Sequence, residues 1–64
     1  SALRDCVEQL PGRSRELVRS RYYEGWDATI LADKFEMKAA TVRQTLLRIR
    51  RQLYQCVNQR VKEV

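Results

Sequence analysis

An all-α fold of four helices is what this sequence predicts, and three observations predict it. Apolar residues recur at three- and four-residue spacing through four successive segments. No stretch alternates apolar and polar residues, and no Asn-Gly hairpin turn is present. The segments are separated by breaks of the kind that end helices: Pro11-Gly12, then Gly25, then a short turn at Glu36-Met37-Lys38.

The first helix is expected from Ala2 to Leu10, with Leu3, Cys6, Val7 and Leu10 on its buried side. After Pro11-Gly12, Arg13 or Ser14 opens a second helix to about Tyr23. Ser14 is its expected N-cap, and Leu17, Val18 and Tyr22 its core residues. Gly25 follows where a left-handed residue commonly ends a helix. Asp27 is a good N-cap for a third helix reaching about Phe35. Leu31, Ala32 and Phe35 face the core from that helix, and Trp26 packs at its entry. Beyond the turn a long fourth helix runs to roughly Val61. At about 100° per residue, Val42, Leu46, Ile49, Leu53 and Cys56 share one side of it.

Composition narrows the function. Sixty-four residues make one small domain, expected to be the carboxy-terminal part of a longer protein, with little room for a catalytic cavity. There is no histidine, and Glu16 and Asp33 read as surface charges rather than an acid–base pair, so neither catalytic residues nor an enzyme is expected. Two cysteines without CxxC spacing do not suggest a metal site, and no cofactor is expected. Cys6 and Cys56 are read first as reduced, buried thiols of a cytoplasmic protein, packing as small hydrophobes, with a disulfide closing a long loop as the other reading. No apolar run approaches the ~20 residues of a membrane span.

Charge is unevenly placed. Residues 1–37 carry six basic against seven acidic side chains, whereas residues 38–64 carry seven basic (Lys38, Arg43, Arg48, Arg50, Arg51, Arg60 and Lys62) against Glu63 alone. The halves therefore carry −1 and +6, and such an asymmetry is the footprint of a nucleic-acid binder. The fourth helix concentrates it. Opposite its apolar side stand Arg43, Gln44, Leu47, Arg48 and Arg51. Arginines can bond guanine bidentately, glutamine can read adenine, and a leucine among them can touch a thymine methyl. Arg50 lies at the margin of that face. Thr41, in the first turn, can hold a phosphate together with the free N–H groups of the helix start. Third and fourth helices joined by a short turn and followed by a basic face form a helix-turn-helix, with small Ala32 allowing close approach and Met37 and Val42 filling the space beneath the turn.

The succession Leu10-Pro11, Arg15-Glu16-Leu17, Arg21-Tyr22-Tyr23-Glu24-Gly25-Trp26, Leu31-Ala32, Thr41-Val42-Arg43, Leu46 and Arg48 resembles region 4 of sigma-70 family RNA polymerase sigma factors. It is most similar to the extracytoplasmic-function type. The ending Arg48-Ile49-Arg50-Arg51-Gln52-Leu53 with Cys56-Val57 resembles a branch abundant in planctomycetes and verrucomicrobia. The resemblance implies a domain that directs RNA polymerase to promoters by placing the fourth helix in the major groove of the −35 element. It implies docking on the polymerase β-flap and, in the family, binding by anti-sigma factors. By position it implies DNA contacts from Arg21, Thr41, Arg43, Gln44, Leu47 and Arg48, of which Arg21 comes from the resemblance alone.

Departures fall at the entry to the fourth helix and on the reading face. Glu36 stands where relatives often have glycine, so a left-handed residue there would cost roughly 1 kcal/mol unless the turn is shaped differently. Lys38 replaces a small polar N-cap. Ile30 replaces an acidic residue, Ala28 an aromatic or polar one and Thr45 an arginine. Two other readings stay open: the output domain of a LuxR-type regulator, and a helical protein-interaction module.

Overall fold

The computed structural model describes residues 1–62 and is all-helical. Four helices follow in order: α1 (Ala2–Glu8), α2 (Gly12–Tyr22), α3 (Ala28–Lys34) and α4 (Ala39–Lys62). The fold class expected from the sequence is the one observed. Cys6, Val7, Leu17, Val18, Leu31, Val42, Ile49 and Leu53 form one buried cluster to which every helix contributes. Leu31 and Val42 are fully enclosed, so the contact between α3 and the first turns of α4 is dry. The 24-residue α4 gives the molecule its 40 Å long axis.

Local chemistry explains the boundaries. The Ser1 hydroxyl accepts from the Arg4 N–H at 3.3 Å and caps α1. The Asp27 carboxylate accepts from the Ile30 N–H at 3.0 Å and caps α3, as expected. Gly25 takes φ 74°, the left-handed conformation glycine adopts without a Cβ penalty. The third break is more unusual. Glu36 is left-handed too, at φ 55°, and the Met37 N–H returns to the Ala32 carbonyl at 2.8 Å. That six-to-one bond is the signature of a Schellman ending, built here on glutamate instead of glycine.

Several expectations need correction. Ser14 does not cap α2: the helix begins at Gly12 behind Pro11, whose carbonyl accepts from the Arg15 N–H at 2.8 Å. Proline's fixed φ pre-sets that entry without a side-chain cap. The first helix ends at Glu8, short of Leu10, whereas the second ends at Tyr22 with Tyr23 as its C-cap, as expected. Leu3 and Tyr22, both expected in the core, are exposed, Tyr22 at 61%. α1 is two turns long and α2 meets its neighbours through Leu17 and Val18, so outlying apolar positions overhang the core instead of entering it. Trp26, Phe35, Leu46 and Cys56 are half-buried against the core.

The largest correction concerns the cysteines. Cys6 and Cys56 are not thiols but a disulfide, with Cα atoms 6.0 Å apart. Composition argued for a reducing compartment, but α1 packs along the second half of α4 and sets the two side chains face to face. The bond closes a loop of 50 residues in sequence. Asp5 and Arg60 add an ion pair at 3.8 Å across the same two helices.

Candidate nucleic-acid interface

The face of α4 opposite the core is built by helical geometry alone. Val42, Ile49 and Leu53 are buried, while Thr41, Arg43, Gln44, Leu47, Arg48 and Arg51 are all exposed. At about 100° per residue these six occupy a sector of roughly 160° over the first three turns. α3 buttresses this half of α4 through the enclosed Leu31–Val42 region, with Ala32 and Met37 packed against it. This basic half of the helix is therefore seated from one side and open on the other.

Its electrostatics are uncompensated. Among the described residues the ion pairs are Glu8 with Arg15 and Arg19, and Asp5 with Arg60. None involves Arg43, Arg48 or Arg51, so their donors are available to an external anion. Leu47 stands in the middle of these cations at 49% exposure. The first bond of the helical ladder runs from the Val42 N–H to the Lys38 carbonyl at 2.9 Å, leaving the N–H groups of Ala39, Ala40 and Thr41 ahead of it. Lys38, with no acceptor in its side chain, cannot cap them. That helix start can receive a phosphate, with Thr41 contributing its hydroxyl.

Arg21 is not on this helix. It lies exposed in the last turn of α2, with its guanidinium 5.9 Å from the Tyr22 ring centroid. Arg50 also departs from the basic face, since it lines a second feature that sequence reasoning missed. This is an apolar cleft of about 490 Å³ between α1, the end of α2 and the second half of α4. Leu3, Tyr22, Tyr23, Leu53, Tyr54 and Val57 line most of it. Its signal in the sequence was a surplus: more large apolar residues than a core of this size can enclose. Among the described residues no cluster of potential metal ligands exists, and no helix is long and apolar enough to cross a membrane.

The family model described as "Sigma-70, region 4" matches residues 1–53. The chain belongs to that family. It is a family of DNA-binding transcription domains, not of enzymes, and the match spans α1 to α3 and α4 as far as Leu53. This favours the sigma reading over the LuxR-type regulator. No curated protein and no solved structure matches the chain.

Proposed function

We propose that this region 4 domain recognises the −35 element of promoters for a bacterial sigma factor of the extracytoplasmic-function type, and so acts in the cytoplasm. The observation that carries the reading is the exposed set Arg43, Gln44, Leu47, Arg48 and Arg51, its arginines unpaired among the described residues, on a helix whose other face is sealed into the core. Arg43, Gln44, Leu47 and Arg48 read base edges in the major groove, and Arg51, Thr41 and Arg21 hold phosphates. The similarity of the chain's ending to the planctomycete and verrucomicrobial branch supports a place there.

A promoter domain has to hold DNA and polymerase together. The apolar cleft serves the second partner, the β-flap of the polymerase core. It lies along the second half of α4, beyond most of the reading face, so both surfaces can be occupied at once. An anti-sigma factor would compete most directly by covering the same cleft.

Selection of bound duplexes from a random pool, by the full-length factor with core polymerase, tests the reading. The expected result is one enriched motif, lost when Arg43 and Arg48 are replaced together. Enrichment that survives this change, or no enrichment, contradicts it.

A further inference from the structure

The turn before the recognition helix is held by a residue far away in the sequence. The Nη2 of Arg13, in the first turn of α2, donates to the Phe35 carbonyl at 2.6 Å, across 22 residues. The same guanidinium lies 5.7 Å from the centroid of the Phe35 ring. Phe35 is the C-cap of α3, so its carbonyl is among those a helix end leaves without an internal partner. The next residue is Glu36, left-handed without being glycine. One side chain thus satisfies the orphan carbonyl and makes a cation–π contact with the residue immediately before the strained position.

We infer that Arg13 is a positioning residue for DNA recognition, a clamp that holds the left-handed Glu36 turn closed and thereby sets the angle at which α4 leaves α3. The consequence for DNA rests on the promoter reading above; the consequence for the turn does not. Glycine at position 36 would favour this turn by itself. With glutamate there, part of the population is expected to leave the turn once the clamp is gone. Apparent DNA affinity then falls by the fraction of molecules that lose the competent geometry. A guanidinium that is exposed but already bonded to a carbonyl and set over a ring of its own chain is engaged intramolecularly. Its loss should leave the number of neutralised phosphates unchanged.

The test is a cycle in the 64-residue chain with Arg13→Met, which keeps the stem and removes the donor, and Glu36→Gly, which relieves the turn. Glu36→Gln controls for removal of the negative charge. Exchange of the Met37 amide, bonded to Ala32, reports the turn without DNA. Binding to the selected duplex across a salt series reports recognition. Arg13→Met is expected to speed Met37 exchange and weaken binding by roughly three- to tenfold, the size of one modest hydrogen bond. The slope of log K against log salt should not change. Adding Glu36→Gly should restore both quantities, and adding Glu36→Gln should leave exchange fast. Unchanged exchange in Arg13→Met overturns the clamp. So does a slope shallower by about one without rescue by Glu36→Gly, which would make Arg13 a phosphate contact. Should Arg13→Met fail to fold, Arg13→Lys takes its place, with smaller losses in the same direction. If the exchange data behave as expected but the parent chain prefers no duplex, the promoter reading falls and the clamp stands.

Discussion

From Ala39 to about Arg51, α4 rests on α3 through the enclosed Leu31 and Val42 and carries no covalent tie; beyond that, the Cys6–Cys56 disulfide and the Asp5–Arg60 ion pair fasten it to α1. The first half presents cations and a leucine to solvent, and the second borders an apolar cleft. One helix thus joins two surfaces of opposite chemistry, each supported by a different neighbour. The lesson is that separate neighbours can brace the two halves of one long helix and leave each half with a surface of different chemistry.

The largest expected effect comes from breaking the brace of the first half. Leu31→Ala should cost about 2–5 kcal/mol, because it leaves a cavity at a site with no exposure. Chemical denaturation of the disulfide-intact protein checks it. In the second half, a dithiol reductant should destabilise the domain by roughly 2–4 kcal/mol, since the bond closes a long loop. Thermal unfolding with and without reductant measures this, and an unchanged midpoint would mean that packing alone holds α1. Tyr54→Ala should sharpen the contrast further. Tyr54 is largely exposed at the cleft, so the substitution should weaken polymerase binding by about 1–2 kcal/mol while leaving DNA affinity and stability within error. Equal losses for both partners would show that the two surfaces are not separate.

The sequence made some of these elements far more legible than others. The 3.6-residue periodicity of α4, the Asp27 cap and the left-handed Gly25 were all readable, because each depends on residues within one or two turns of each other. The exposed basic sector was legible for the same reason: once Val42, Ile49 and Leu53 are inward, its position follows from geometry. What escaped depends on distance in the chain. The pairing of Cys6 with Cys56 and the reach of Arg13 to Phe35 need the packing of helices, which periodicity does not specify. Tyr22 and Leu3 were misplaced because apolar character alone does not say whether a residue enters a core or borders a cleft. Glu36 falls between the two cases, since its departure was visible locally but its clamp was not.

We propose that the exposed face of α4 reads bases. This is tested most directly by Arg48→Ala, measured by equilibrium binding on the selected duplex and on a set in which each base pair is changed in turn. Arg48 is exposed, unpaired among the described residues and beside Leu47. A loss of about 1–3 kcal/mol on the selected duplex is expected, with discrimination collapsing at one base pair and persisting at the others. Uniform weakening on every duplex, or none on any, would contradict base reading by Arg48.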